Sequence, residues 1–458
     1  MAQPITFREL TGGAGHTSVM SASAGPDLAG RGYSEHEYAA GGIARRFVET
    51  PDGGLDGVDT APFTTRILVR RPDAAQFNGH VVVEWFNVSS GADSAPEYTY
   101  LAEELIRSGT AYVGISAQYT GVAGGRDSVD LETTGAGTAG VQGDSLEGKD
   151  PERYAGMQHP GDAYSYDMFG SIITALRDTT GEPSPLAGLD VRWVIAAGES
   201  QSAMALTTYV NLIATVHESI DAALIHSRPL GQLPLGHAGG PIDISSAYLE
   251  PPCQISDDAG IPVFVVQTET DVLTDFRYIE ARQPDSEMFR AWEVAGTSHA
   301  DIVQIGEYED LLGCPSPVNR GQQVFVLRAA VAHLRAWIED GTPPPTAPPL
   351  DVDPTSVPPR YMRDEVGNVR GGVRTPCVDA PTEVLSGVVT GDVPRICVLF
   401  GSTTRLPDTT LASLYPTPAD YLLAYERATD DAIARGVICA ADRDDVLADV
   451  RPVTPSPT

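Results

Sequence analysis

Short apolar runs alternate with longer amphipathic segments over most of this 458-residue chain. The short runs are rich in β-branched residues and lie at 65–70, 80–86, 111–116, 191–197, 222–226, 262–267 and 289–294. The longer segments carry apolar residues at three- and four-residue spacing and lie at 98–108, 163–177, 202–216 and 324–340. Strands that alternate with helices in this way form parallel sheets with helices on both faces. The pattern predicts an α/β fold with a doubly wound, mostly parallel sheet.

Two long segments interrupt the alternation inside a core of about residues 60–345. Residues 119–160 are dense in Gly and Asp, and residues 229–260 include a Gly239-Gly240 pair. Ordered loops of this length commonly act as lids or binding elements, so both segments are predicted lid insertions.

A Pro-rich stretch, residues 341–359, follows the core and is typical of a stiff connector. The C-terminal extension, residues 346–458, shows one clear helical pattern, near 419–435. We expect the extension to wrap on the core, which makes residues 1–458 a single unit; a small separate domain is the alternative.

The charge balance restricts the partners that the chain can bind. It carries 62 acidic against 30 basic residues, a formal net charge of −32. Such a charge repels nucleic acid and anionic membrane surfaces, and no segment approaches the roughly 18 apolar residues of a membrane span. Residues 1–23 are Gly-rich and polar, unlike a secretory signal. We therefore expect neither nucleic acid nor membrane as a partner, and a cytoplasmic protein, or a secreted one if a leader has been removed.

Five cysteines are spread over the second half of the chain: Cys253, Cys314, Cys377, Cys397 and Cys439. None forms a C-x-x-C pair, so neither a zinc site nor a redox motif is indicated, and we expect no metal. Buried free thiols are the favoured interpretation, and a bridge between Cys253 and Cys314 is the alternative.

One strand leads into a sharp serine-containing turn. The predicted strand runs directly into Gly198-Glu199-Ser200-Gln201-Ser202 and continues as a predicted helix. A strand, a turn with a central serine and a helix are the context of a nucleophile elbow, in which small residues lie two positions either side of the serine. Gly198 meets this requirement, and Ser202 replaces the usual second glycine. Ser200 is the predicted nucleophile, and the N–H of Gln201, at the helix N-terminus, is a predicted oxyanion donor.

An acid and a histidine follow Ser200 at the ends of two later predicted strands. The first strand leads into Glu269 and Asp271, and the second leads through Gly296 to His299, 28 residues after Asp271. Serine, acid and histidine occur in this order in α/β-hydrolases. The imidazole would accept the serine proton and return it to the leaving group, while the carboxylate fixes the imidazole tautomer. Asp271 is the predicted acid, and Glu269 is the alternative.

A second oxyanion donor is expected from the loop after the strand at 80–86. We nominate the backbone N–H of Val88, with Asn87 beside it. Four ring-bearing side chains are candidates for the substrate pocket: Trp85, Phe86, Tyr119 and His159. For Trp85, Phe86 and His159 the alternative is a packing or turn role.

Several blocks of the sequence resemble bacterial proteins of the alpha/beta hydrolase domain family. The similar blocks lie at 84–88, 154, 159–162, 198–202, 267–271, 317–321, 337–344 and 367–376. The resemblance implies an α/β-hydrolase fold and Ser200 as nucleophile. It also implies that the extension belongs to the same functional unit, and it says little about the substrate.

The sequence as a whole predicts a serine hydrolase that cleaves a small-molecule carboxylic ester or lactone through an acyl-enzyme, without a cofactor. Acyl transfer to an acceptor other than water, or carbon–carbon cleavage of the hydroxynitrile-lyase type, are alternatives on the same fold. A non-catalytic binding protein is the alternative from another class. The oligomeric state cannot be predicted from these features.

Overall fold

The structure is a computed structural model that describes residues 4–15, 19, 25–125, 144–180 and 183–451. Nine strands form the central sheet: β1 (Thr6–Glu9), β2 (Tyr33–Glu49), β3 (Leu55–Pro72), β4 (His80–Trp85), β5 (Ala111–Ile115), β6 (Trp193–Glu199), β7 (Ala222–His226), β8 (Val263–Thr268) and β9 (Phe289–Val294). Their order is β1-β2-β3-β5-β4-β6-β7-β8-β9. Strands β4 to β9 are parallel to one another, while β1, β2 and β3 are antiparallel additions at one edge. The predicted mostly parallel sheet is confirmed.

The helices cover both faces of the sheet. They are α1 (Pro96–Ser108), α2 (Tyr119–Ala123), α3 (Leu146–Lys149), α4 (Ser165–Leu176), α5 (Gln201–Thr208), α6 (Ala214–His217), α7 (Glu269–Leu273), α8 (Ile302–Ile305), α9 (Gln323–Asp340), α10 (Pro376–Asp379), α11 (Arg395–Phe400), α12 (Asp408–Leu414), α13 (Pro418–Ala434) and α14 (Arg443–Ala448). A π-helical turn, Tyr209–Ile213, joins α5 to α6. The four predicted helices correspond to α1, α4, α5 with α6, and α9.

Alternate residues of each buried strand pack into the hydrophobic cores on opposite faces of the sheet. In β6, Val194 and Ala196 pack with α4 and α5, whereas Ile195 and Ala197 pack with α1 and α9. This follows from the two-residue period of a strand, which sends successive side chains to opposite faces. Because both faces are covered, these strands read as continuous apolar runs, and this explains why the sequence reveals them.

The antiparallel edge is much larger than the sequence predicts. The predicted strand at 65–70 is the inner part of β3, which spans 18 residues, and β2 spans 17 residues. No strand was predicted for β2, because its partly exposed sequence mixes charged residues, Gly41 and Gly42 with apolar ones. A half-buried strand of this composition gives a weak periodic signal.

The described parts of the predicted lid insertions hold little regular structure. In the first, α2 and α3 flank residues 126–143, which lie outside the described residues. The second contains the short 3₁₀ segments Ile244–Leu249 and Asp257–Ala259. Their role as lids remains a prediction.

The C-terminal extension packs on the core, as expected. Tyr421 and Tyr425 of α13 are buried with α1 and α9, and Val373 forms a parallel bridge to Val294 of β9. Helix α13 matches the predicted helix near 419–435. The expectation of one clear helix is incomplete, because the extension also contains four helices of four to seven residues and two small antiparallel sheets. Helices this short show less than two turns of periodicity.

Cys314 and Cys397 form a disulfide, while Cys253, Cys377 and Cys439 are free. The Cys253–Cys314 alternative is therefore wrong, and so is the expectation that all five thiols are free. Cys397 lies on α11 and packs beside the segment that contains Leu312. This pairing depends on how the extension folds back, which spacing along the chain does not reveal. Within the described ranges, no helix has both the length and the apolar content needed to cross a membrane.

Candidate active site

Ser200 occupies a strained turn between β6 and α5. Its backbone angles are φ 59° and ψ −116°, a conformation that residues other than glycine rarely adopt. The Ser200 N–H donates to the carbonyl of His226 at 3.0 Å, which joins the turn to the neighbouring strand. A Cβ atom at Gly198 would lie 3.0 Å from the backbone of Ser202. The close approach of strand and helix therefore favours a glycine at 198.

The departure at Ser202 has a structural explanation. Its hydroxyl accepts from the Glu199 N–H at 3.0 Å and donates to the Glu199 carbonyl at 2.8 Å. A glycine at 202 could make neither bond. Ser202 is fully buried, so these bonds satisfy backbone groups that have no access to water. The second small residue therefore also fastens the turn.

The structure brings Ser200, His299 and Asp271 together. The Ser200 hydroxyl donates to His299 Nε2 at 2.8 Å, and the His299 Nδ1–H donates to Asp271 Oδ1 at 2.7 Å. The acceptor-only carboxylate assigns the proton to Nδ1 and leaves Nε2 free to accept. Asp271 Oδ2 accepts from the N–H and hydroxyl of Thr268 at 2.8 and 2.7 Å, which fixes the carboxylate at the start of α7.

Glu269, the alternative acid, has different partners. Its Oε1 accepts from the Gly296 N–H at 2.6 Å, and its Oε2 accepts from the Gly387 N–H at 3.0 Å. Both of its oxygens bind backbone groups, whereas Asp271 binds the imidazole. Of the two carboxylates weighed from the sequence, Asp271 is the one in contact with His299.

The surroundings shift the pKa values of Asp271 and His299 in opposite directions. Burial acts to raise the pKa of Asp271, but the attraction of His299 and the Thr268 bonds outweigh it and lower that pKa below its ordinary value. Burial acts to lower the pKa of His299, but Asp271 and Glu199 outweigh it and raise that pKa. Asp271 therefore stays ionised and stabilises a protonated imidazole.

Glu199 is a further buried carboxyl beside His299 that sequence reasoning missed. Its Oε1 lies 3.5 Å from His299 Nε2, and the side-chain amide of Asn87 donates to its backbone carbonyl at 3.0 Å. Burial raises the pKa of Glu199 to about 8, opposed by His299 and reinforced by Glu97 and Asp271. The only sequence signal was its place beside Ser200 in the elbow.

The nominated oxyanion loop is attached to the elbow by side-chain amides. The Val88 N–H donates to Gln201 Oε1 at 3.2 Å, and Gln201 Nε2 donates to Gln118 Oε1 at 2.5 Å. The backbone N–H of Asn87 donates to the Ser94 carbonyl at 3.1 Å, and its side chain binds Glu199. The loop thus lies beside Ser200, and the oxyanion roles of Val88, Asn87 and Gln201 stay predictions.

Trp85 and Phe86 are packed in the interior. Trp85 is 1% exposed, and its indole N–H donates to Gln118 Oε1 at 3.1 Å. Phe86 is fully buried; its ring fills the space at Gly114 and lies under the guanidinium of Arg66 at 5.4 Å. The structure favours the core alternative for both residues over a pocket wall.

His159 also has a structural role. Its Nε2 donates to the Ala117 carbonyl at 2.9 Å and its Nδ1 accepts from the Gly161 N–H at 3.1 Å, which leaves no ring nitrogen for a ligand. The half-buried Tyr119 packs its ring edge-on against His159, with centroids 5.9 Å apart. The turn alternative is favoured for His159, and Tyr119 remains a pocket candidate.

No group of three His, Cys, Asp or Glu side chains that could hold a metal ion occurs in the part of the chain that the structure describes. Near Ser200, the oxygens of Asp271 bind His299 and Thr268, and those of Glu269 bind backbone N–H groups. These carboxylates therefore serve the protein itself as acceptors.

A parallel sheet with a strained serine turn after one strand, and an acid and a histidine after two later strands, defines the α/β-hydrolase class of fold. The sequence pattern of the alpha/beta hydrolase domain family matches residues 2–448. The chain belongs to this family.

Several solved esterase structures are similar to this chain at low sequence identity. Esterase Est22 is 13% identical with a TM-score of 0.33, over 68% of this chain and 81% of that one. A structure from a study of two fungal esterases of Rhizomucor miehei is 13% identical with a TM-score of 0.32, over 65% and 84%. A lipase/esterase from Lactobacillus plantarum is 13% identical with a TM-score of 0.28, over 52% and 86%. Similarity this weak carries no argument about substrate, and no curated protein matches the chain.

Proposed function

We propose that this protein hydrolyses carboxylic esters of small molecules, lactones included, through an acyl-enzyme on Ser200. The observation that carries the proposal is the continuous chain of hydrogen bonds from Ser200 through His299 to Asp271, with distances of 2.8 and 2.7 Å. A strained turn of this kind presents a serine at the carboxyl edge of a parallel sheet, where ligands of open α/β folds bind.

In the acylation step, Ser200 Oγ attacks the ester carbonyl while its proton passes to His299 Nε2. The resulting imidazolium is held by the ionised Asp271. Collapse of the tetrahedral intermediate breaks the bond to the alkoxy oxygen, which takes the proton from Nε2 and leaves as the alcohol. The acyl group is then bonded to Ser200.

Deacylation repeats these steps with water as the nucleophile. Water gives a proton to His299 Nε2 and adds to the acyl carbon, and Ser200 Oγ leaves with that proton. The products are the carboxylic acid and the regenerated enzyme. No cofactor enters either half of the reaction.

The oxyanion would be held by backbone donors near the elbow. Gln201 is the first residue of α5, so its N–H lies at the positive end of the helix dipole. The Val88 N–H already donates to the Gln201 side chain, so its use by an oxyanion requires that side chain to move. Each donor is expected to contribute about 3 kcal/mol in the transition state.

Hydrolysis of p-nitrophenyl esters of increasing acyl length tests the proposal. Ser200→Ala should lower kcat by a factor of about 10⁴ or more for every ester that the wild type cleaves. Ser34→Ala, at an exposed position of β2, is the matched control and should keep wild-type kcat. Ester hydrolysis by Ser200→Ala at the wild-type rate would contradict the proposal.

A further inference from the structure

The buried carboxylate of Glu269 joins three separate segments of the chain. Its own segment is the start of α7, which also carries Asp271. Its Oε1 accepts from the N–H of Gly296 in the His299 loop (295–301), and its Oε2 accepts from the N–H of Gly387 in the Gly387 segment (386–388) of the C-terminal extension. A charged acceptor with two backbone donors is a strong, directional connection.

Thr270 extends this connection to the histidine. Its hydroxyl donates to the Gly387 carbonyl at 2.6 Å and accepts from the backbone N–H of His299 at 3.2 Å. The hydroxyl of Tyr361, another residue of the extension, donates to the Glu269 carbonyl at 2.7 Å. The Gly387 segment therefore contacts α7 directly and is linked to the His299 loop through two adjacent side chains.

The Gly387 segment lies too close to these elements for any side chain at 387. A Cβ atom there would lie 2.3 Å from the Thr297 carbonyl oxygen and 2.7 Å from both Glu269 Cβ and Thr270 N. Contacts this close require something to move. The glycine thus allows the extension to pack against both α7 and the His299 loop.

A second part of the extension supports the far end of the His299 loop. The Ala300 N–H donates to the Leu399 carbonyl of α11 at 3.0 Å. The disulfide joins Cys397 of α11 to Cys314, in the segment that follows the loop. The His299 loop is consequently held from both sides by residues more than 80 positions further along the chain.

We infer that Glu269 is a positioning residue, which binds the Gly387 segment to the His299 loop and thereby keeps His299 in register with Asp271 and Ser200. The inference rests on the proposed function, since it concerns the same site. It assigns to the C-terminal extension an indirect part in the reaction: residues 361–401 complete the support of the acid and the histidine. The two distances between the three reacting side chains then depend on contacts with the extension.

The charge of Glu269 is part of this role. Arg363, Arg374 and Tyr361 of the extension interact electrostatically with it, and Asp271 lies two positions further along the same helix. Burial raises the pKa of Glu269 to about 7, opposed by the Gly387 and Gly296 N–H bonds and by the two arginines. Protonation turns one acceptor oxygen into a donor that faces a backbone N–H, so the connection weakens as the pH falls through this range.

Glu269→Gln tests the inference, with Asp442→Asn as the matched control. The glutamine keeps one acceptor oxygen but directs an NH₂ group at the other backbone N–H. Asp442 is an equally buried carboxylate of the extension, but it binds Arg107 of α1 and Arg328 of α9. We expect Glu269→Gln to lower kcat for a p-nitrophenyl ester by about 10- to 100-fold with little change in KM, as misplacement of reacting groups does. Asp442→Asn should lower the melting temperature but leave kcat unchanged.

The pH profile gives a readout that loss of stability would not change. In the wild type both His299 and Glu269 lose a proton as activity rises, so the acid limb of log kcat should approach a slope of about 2. In Glu269→Gln the proton of residue 269 no longer takes part, and the slope should fall by about 1. An unchanged slope would overturn the role given to the carboxylate.

Reduction of the disulfide in the unaltered chain provides a test that does not depend on Glu269 variants folding. A phosphine reductant should lower wild-type kcat by a factor of about 3 or more at unchanged KM. Cys397→Ser should show the reduced value with or without reductant, and Cys439→Ser, which removes a free thiol, should behave as the wild type.

Three further results would overturn the inference: wild-type kcat in Glu269→Gln, an equal loss of kcat in Asp442→Asn, or a kcat unaffected by loss of the disulfide. These failures are distinguishable from failure of the proposed function. If Ser200→Ala is inactive while Glu269→Gln behaves as the wild type, only the positioning role is lost. If Ser200→Ala remains active, the proposed function itself is wrong.

Discussion

Two parts of the site differ in how they are built, the serine elbow (198–202) and the Glu269 connection. The elbow is made by five consecutive residues. Within it, Gly198 lies close to the Ser202 backbone, and the Ser202 hydroxyl binds the backbone of Glu199. The Glu269 connection joins residues 118 positions apart, through donors that are ordinary backbone groups. The proposed nucleophile is therefore positioned by local sequence, whereas its proposed partners are positioned by the packing of distant segments.

Asp271→Asn gives the largest expected loss of kcat. It separates the residue that binds His299 from the residue that supports its loop. An asparagine can donate to His299 Nδ1 and so favours the wrong tautomer, which should lower kcat by a factor of about 10⁴. The loss should exceed that of Glu269→Gln by at least about a factor of 100, since Glu269 acts only through the loop. Steady-state kinetics on one ester checks both values. Equal losses in the two variants would erase the distinction between orienting the imidazole and supporting its loop.

Ser202→Gly tests whether the elbow is as local as its bonds suggest. The glycine restores the more usual elbow pattern but removes two buried hydrogen bonds to Glu199. We expect the free energy of unfolding to fall by about 2 kcal/mol, measured by urea denaturation. Thr207→Ala, which removes one buried side-chain hydrogen bond within α5, is a control with an expected loss of about 1 kcal/mol. A variant Ser202→Gly as stable as the wild type would mean that the hydroxyl does not fasten the turn.

The smallest expected effects are on stability, and they distinguish the buried carboxyl of Glu199 from that of Glu269. The pKa of Glu199 is raised to about 8 in the folded state, so the stability that its neutral form contributes is lost as the pH rises from the unfolded value, near 4.5, through about 8. A glutamine stays neutral, so Glu199→Gln should gain stability relative to the wild type as the pH rises from 5 to 8, by at least about 1 kcal/mol.

The same substitution at 269 should give a smaller gain at pH 8. The pKa of Glu269 is raised to about 7, so the wild type loses stability there too as the pH rises, but the glutamine directs an NH₂ group at one of two buried backbone N–H groups, and the lost bond offsets the gain. Thermal unfolding of both variants at pH 5 and pH 8 checks the pair. A gain at 269 as large as the gain at 199 would show that Glu269 is only a buried charge and not a connection.

Most of the parallel sheet could be predicted because its strands are covered on both faces. The parallel strands, β4 to β9, all coincide with apolar runs, and α9 has a clear helical period. Strand β2, next to the edge of the sheet, was not predicted because one part of it is exposed and mixes charged with apolar residues. Sequence patterns report burial, so they reveal the centre of the sheet better than its edge.

The side chains of the site could be predicted to the extent that they follow strands. Ser200, Asp271 and His299 each come just after a buried strand, and parallel strands bring such positions to one edge. Glu199 and the partners of Glu269 could not be predicted, because their significance lies in contacts of 3.5 Å or less that only the folded chain creates. The pairing of Cys314 with Cys397 was hidden for the same reason.

The central claim is that Ser200 is the nucleophile, and labelling with a fluorophosphonate ester tests it most directly. Intact-mass measurement should show one phosphonyl group added per chain, with loss of esterase activity in proportion, and peptide mapping should locate it on Ser200. Ser200→Ala should stay unlabelled, and His299→Ala should label much more slowly because its serine lacks a base. Full labelling of Ser200→Ala, or an active wild type that takes no label, would contradict the account.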